Sequence, residues 1–176
     1  MTAKGPDKAT MMNRRINDSA RGSVRMLDRI DRLILKRLQA NGRESVSELA
    51  REVHLTTSPC LERVRRLEAD GYIEGYAALL NPNALGAGLL AFVEVRVDRT
   101  TPEVFQTFRA GVEALEEVVE CHMVAGGFDY LIKIRVADME AYRKFLGERL
   151  AILPGIAQTH TYVAMEEVKS TLSFKF

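Results

Sequence analysis

The sequence predicts an α+β protein in two parts: a head of three short helices, then a sheet domain in which one strand–helix–strand unit occurs twice. Three observations carry this. From Leu27 to Leu67 apolar residues recur at the i, i+3, i+4, i+7 spacing of helices that bury one face. From residue 91 onward the pattern switches between strict alternation and helical spacing. The second half also echoes itself, with Glu94–Val97 against Lys133–Val136, Phe105 and Phe108 against Tyr142 and Phe145, and His122 against His160, at offsets of 37 to 39 positions.

In the head, Leu27, Ile30, Leu33, Ile34 and Leu38 mark a first helix, capped by Asp28 and ended by Asn41-Gly42. Ser45 and Glu48 have capping-box spacing and start a second, whose buried face is Val46, Leu49, Ala50 and Val53. Polar residues from His54 to Ser58 form a tight turn, and Pro59 suits the first turn of a third helix because its missing N–H is not needed there. Cys60, Leu61, Val64 and Leu67 are its apolar stripe. At about 100° per residue, Glu62 and Arg66 point nearly opposite Val64, with Arg63 and Arg65 on the flanks. Asp70-Gly71 stops it.

A charged helical face is usually only a solvated face. Here the short polar turn, three arginines within four residues and the preceding helix favour a helix-turn-helix DNA reader. On that reading Arg66 can be removed without unfolding the head.

The sheet half follows. Tyr72 to Leu80 reads as a short strand, then Asn81-Pro82-Asn83 and a glycine-containing linker lead to Gly88. Residues 91–97 alternate, Val104 to Leu115 is helical, and Val118 to Val124 is a strand. Ala125 to Asp129 turns the chain, and Tyr130 to Val136 alternates again. Met139 to Leu153 is helical until Pro154-Gly155 breaks it, and Ile156 to about Val168 is the last strand. Strand–helix–strand twice over is the split βαβ, ferredoxin-like arrangement. Its helices cover one sheet face, and a second copy of the chain is the simplest cover for the other, so a homodimer is expected. The domain reading is a disordered basic tail over 1–24, the helix-turn-helix over 25–76, a linker over 77–88 and the ferredoxin-like domain over 89–176.

The chain has 176 residues, 47% apolar, with a net charge of +1, so it is no generic polyanion binder. The charge is uneven: residues 1–70 hold 15 Lys and Arg against 10 Asp and Glu, and the remainder 10 against 14. This suits a nucleic-acid-facing half and a second half with another task. The polar, basic start lacks the apolar stretch of a signal peptide, and no run approaches the roughly 20 apolar residues of a membrane span, so the expected compartment is the cytoplasm. The basic start is an arm for DNA phosphates or an idle tail. Cys60 and Cys121 lie far apart in apolar-periodic segments and read as reduced core residues.

Catalytic chemistry is not evident. There is no phosphate-cradling loop, nucleophile elbow or metal-ligand spacing, and His54, His122 and His160 read as structural histidines. The turn Gly126-Gly127-Phe128-Asp129 has two readings, a plain hairpin connection or a ligand site. In the second, exposed N–H groups hold a carboxylate while Asp129 orients the loop or faces an ammonium. Met123 and Met139 nearby have flexible side chains suited to an aliphatic one.

Several segments together resemble the Lrp/AsnC family of bacterial feast/famine regulators: Leu27-Asp-Arg-Ile-Asp31, Pro59-Cys-Leu-Glu-Arg-Val-Arg-Arg-Leu-Glu68, Ala78-Leu-Leu-Asn-Pro82, Glu120-Cys-His122, Phe128-Asp-Tyr-Leu131, and Tyr162 with Met165-Glu-Glu-Val-Lys169. The resemblance runs from about Leu27 to Val168. It implies a winged helix-turn-helix domain and a βαββαβ effector domain, and dimers that assemble into octamers or larger discs around double-stranded DNA. It also implies an amino-acid effector, leucine or another aliphatic one, bound between subunits. Carried over by position, it implies DNA contact by Thr57, Ser58, Arg63 and Arg66, and ligand response through Met123, Gly126, Asp129, Met139, Tyr162 and Val163. Two positions depart from the family: relatives often carry an acid at Gly127, and the turn reads Leu55-Thr-Thr-Ser-Pro59 where Ser is commoner at Thr56. No enzyme activity is expected. The alternative reading is an amino-acid-sensing regulatory subunit of a metabolic enzyme.

Overall fold

A computed structural model describes residues 26–176. The basic tail of the sequence reading lies outside the described residues. The described chain divides into two compact units, one running to Ala78 and including Thr171–Phe176, the other Leu79–Ser170.

The first unit contains three helices, α1 (Arg29–Ala40), α2 (Val46–Glu52) and α3 (Thr57–Ala69). Their starts are set by side chains. Asp28 accepts from the Asp31 N–H at 2.8 Å while Asp31 accepts from the Asp28 N–H at 3.2 Å, and Ser45 and Glu48 form the second capping box. Ile34, Leu49, Cys60 and Leu67 are at most 1% exposed and form the centre of the core, with Tyr72 and Ile73 packed against it.

Two helix ends close in the same way. After α2 the Leu55 N–H reaches the Ala50 carbonyl at 2.8 Å and the His54 N–H reaches Arg51; after α3 the Tyr72 N–H reaches Leu67 at 2.9 Å and the Gly71 N–H reaches Glu68. Both are Schellman closures, which require a left-handed residue at the crossing. Gly71 takes it at φ 77°, and His54 takes it at φ 56°.

The expected strand from Tyr72 to Leu80 does not form. Tyr72 and Ile73 turn into the head core, and residues 74–80 run without a ladder partner. An alternating sequence makes a strand only when a neighbouring strand takes its backbone hydrogen bonds, and the described chain offers none there.

The second unit is the expected βαββαβ fold. Its elements are β1 (Leu89–Val97), α4 (Pro102–Glu113), β2 (Val118–Met123), β3 (Tyr130–Val136), α5 (Met139–Phe145) and β4 (Ile156–Val163). The strands lie in the order β2-β3-β1-β4, with all neighbours antiparallel. Val93, Val95, Ile132 and Ile134 are fully buried on the helix side, packed with Phe108 and Leu150.

The second helix ends earlier than expected, because a π-helical turn over Leu146–Leu150 follows α5. Leu153 then packs against Gly111, where a β-carbon would stand 2.7 Å from the Leu153 Cδ2. β4 ends at Val163 rather than about Val168: the Ala164 N–H still reaches the Leu90 carbonyl, but β1 begins at Leu89 and offers no further partner. Cys60 is buried as expected, whereas Cys121 is exposed on the edge strand β2 rather than in the core. Desolvation still pushes its thiol up to about 11.

Candidate DNA-reading face and effector site

The α2–turn–α3 unit presents the first turn of α3 to solvent, with Thr57 and Ser58 exposed. Arg63 and Arg66 are turned elsewhere. The Arg63 Nη1 donates to Asp28 Oδ2 at 2.6 Å and to Asp31 Oδ1 at 2.8 Å, and the Arg66 Nη2 donates to that same Asp31 oxygen at 2.6 Å. Asp31 is 3% exposed, a buried carboxylate whose charge these two guanidiniums compensate. Asp28 is held below its ordinary carboxylate range, first by the Asp31 backbone N–H and then by Arg63.

Arg66 does lie opposite Val64 on the helix, but its removal is not neutral to the fold as the sequence alone indicates, since it would strip a partner from a buried charge. Arg65, on the flank in the sequence reading, is the arginine of α3 that is exposed and without an ion pair among the described residues. Pairing of α1 carboxylates with α3 arginines 32 and 35 positions away leaves no periodic signal, which is why sequence reasoning missed it. In the same unit, Arg29, Arg32, Lys36, Arg43 and Arg51 are exposed as well.

The ligand candidates fall into two groups. Met123, Gly126 and Asp129 lie where β2 ends and β3 begins, and Met123 pairs with Tyr130, which pairs with Val95. The Asp129 Oδ2 accepts from the Val97 N–H at 2.8 Å, so one carboxylate oxygen fixes the loop to the end of β1. The Asp129 N–H donates to Val95 and its carbonyl accepts from Val124. The Arg96 Nη2 donates to the Gly127 carbonyl at 3.2 Å, and both glycines border open space.

Met139, Tyr162 and Val163 lie at the opposite end, where β3 has ended and β4 ends; Val163 pairs with Ala91. Ala91 and Val95 are four residues apart on β1, about 13 Å at strand rise, and β2 and β4 are opposite edges of the sheet, about 14 Å apart. One chain therefore does not bring the six candidates together. Each group exposes apolar surface, with Met123 54%, Met139 49% and Tyr162 49% exposed.

The sheet face away from the helices carries Phe92, Glu94, Leu131 and Lys133 between the edge histidines. His122 sits 3.3 Å from Glu120, which also takes Lys133 at 2.8 Å, and His160 stacks 4.9 Å from Tyr162. Among the described residues no group of three His, Cys, Asp or Glu is placed to hold a metal ion, and no helix is long and apolar enough to cross a membrane.

Comparison with known proteins agrees with this division. Residues 27–74 match the winged helix-turn-helix DNA-binding family and residues 90–174 match the Lrp/AsnC ligand binding domain. The chain is 58% identical over 154 residues to the leucine-responsive regulatory protein of Salmonella typhimurium, covering 88% of this chain and 94% of that one. It is 57% identical over 154 residues to the protein of that name in Escherichia coli K12, at the same coverage. Among solved structures, a transcriptional regulator–L-Met complex from Neisseria meningitidis superposes with a TM-score of 0.81 at 36% identity, over 85% of this chain and 97% of that one. A feast or famine regulatory protein from M. tuberculosis complexed with L-methionine gives 0.78 at 35%, over 85% and 99%. These relatives are regulators and not enzymes, which leaves the regulatory-subunit alternative without support. The chain belongs to the Lrp/AsnC family of DNA-binding transcriptional regulators.

Proposed function

We propose that the protein is a cytoplasmic, sequence-specific regulator whose DNA binding and assembly respond to an aliphatic amino acid, leucine or methionine. The observation that carries this is the division of the ligand candidates: Met123, Gly126 and Asp129 at one end of the sheet, Met139, Tyr162 and Val163 at the other, too far apart to hold one small molecule within one chain. A second copy supplies the missing half, so the effector sits between subunits and its binding is linked to how many subunits stand together. The names of the relatives support leucine, and two structural neighbours hold methionine. The chain forms a homodimer through its uncovered sheet face and larger assemblies, an octamer or beyond, through the effector sites.

At the DNA, Thr57 and Ser58 contact the duplex from the exposed first turn of α3. Arg63 and Arg66, a quarter to a third exposed, add phosphate contacts from their seats on Asp31. Asp129, with one oxygen fixed to Val97, turns the other toward the effector's ammonium. Charged side chains are rejected because burying an unpaired charge against the methionines is costly. The test is a thermal melt against each of the twenty amino acids, paired with salt-dependent DNA shifts. A ligand of the folded state raises the melting temperature as its concentration passes its Kd. Leucine, methionine or both should do so and aspartate and lysine should not; no shift with any aliphatic amino acid would overturn the effector reading.

A further inference from the structure

We infer that Arg65 is the side chain of α3 that reads a base edge, and that Arg63 and Arg66 are struts held by Asp31. The inference rests on the DNA-binding reading above and names the residue within it that sets specificity. Three arginines within four residues look interchangeable in the sequence, but the structure gives them two different occupations. Asp28 and Asp31 take up Arg63 and Arg66, two carboxylates against two guanidiniums, and one oxygen of the buried Asp31 accepts from both. Neither arginine can swing out to a base without leaving that carboxylate short of a partner.

Arg65 carries no such duty. It is exposed, and among the described residues it has no ion pair. Seven residues separate it from Ser58, so the two lie about 20° apart around the helix and about 10 Å apart along it. They form one stripe on the exposed flank of α3 away from Arg63, long enough to span about three base-pair steps. A recognition helix meets base edges with its outward face, and an arginine with all its donors free is the usual bidentate partner of guanine O6 and N7.

The experiment uses the full chain. Selection from randomised duplex DNA gives a preferred duplex, and affinities are then measured for it and for a shuffled duplex, alongside thermal melts. Arg65→Ala should reduce the preferred-to-shuffled affinity ratio about 5- to 150-fold, with the melting temperature unchanged. Arg66→Ala should lower the melting temperature and weaken both duplexes together, keeping the ratio. Arg66→Lys, which keeps a cation for Asp31, should recover the melting temperature. Two results would overturn the inference: Arg65→Ala with an intact ratio, including uniform weakening from a phosphate contact, or Arg63→Ala or Arg66→Ala collapsing the ratio at unchanged melting temperature. A wild type that enriches no sequence would instead overturn the sequence-specific reading on which the inference rests.

Discussion

His54 and Gly71 perform the same backbone task with different side chains. Both stand in the left-handed region at a Schellman closure, but a side chain there meets the following carbonyl, at a cost of about 1–2 kcal/mol, which glycine avoids. His54→Gly should therefore hold or raise the head's stability by up to about 1 kcal/mol, and His54→Val should lower it by about 1–2 kcal/mol, read from denaturant midpoints. A His54→Val protein as stable as wild type would mean the turn tolerates another geometry. Asp28 gives a second prediction at this scale. Its folded pKa is depressed by the Asp31 N–H and by Arg63, so it contributes stability above its ordinary value of 3.8. That contribution is lost as pH falls through the lower folded value. Thermal melts should show stability declining below about pH 4. Asp28→Asn, which keeps an acceptor for the N–H but not the charge facing Arg63, should flatten part of that decline. An identical slope in the two proteins would remove Asp28 from the acid response.

At the scale of elements, what the sequence makes legible is what repeats locally. The caps at Asp28 and Ser45, the stop at Gly71 and the alternation of β1 and β3 follow from neighbours within four residues, and all four stand in the structure. What is not legible depends on distant partners: the seats of Arg63 and Arg66 on Asp31, the missing strand at 74–80, and the early end of β4. The loops at two glycines show the same contrast. Gly155 has φ 83° and a β-carbon there would stand 2.8 Å from the Val104 Cγ1, so Gly155→Ala combines backbone strain with a clash. It should cost about 1–3 kcal/mol. Gly127 is not among the positive-φ glycines and has open space around it, so Gly127→Asp should change stability by no more than about 0.5 kcal/mol. Denaturant titration of the two variants separates them, and equal losses would show that the 124–129 loop is packed more tightly than its surroundings indicate. Any change in effector affinity in Gly127→Asp can then be read as recognition rather than misfolding.

For the whole molecule, the separation of the ligand candidates makes a prediction about mixing. If one effector site takes Asp129 and Met123 from one chain and Tyr162 and Met139 from another, each chain contributes half of two sites. Asp129→Ala breaks the first kind of half and Tyr162→Ala the second, so each variant alone should bind leucine or methionine weakly or not at all. Co-refolded in equal amounts, the two variants assemble at random. A site is then intact when its first half comes from the Tyr162→Ala chain and its second from the Asp129→Ala chain, which happens for about a quarter of sites. Titration calorimetry should find tight sites restored at about one quarter of the wild-type stoichiometry, with near wild-type affinity. A site built within one chain predicts no recovery, because every chain in the mixture carries a lesion. Recovery of much more than a quarter would mean that the two chains prefer each other as partners, and light scattering on the same samples would show whether the assembly itself differs from wild type. Because Asp129 also holds the Val97 N–H, Asp129→Asn belongs beside the alanine variant. It keeps an acceptor for the loop and removes the charge, so loss of binding in both variants assigns the effect to the ammonium rather than to the fold of the turn.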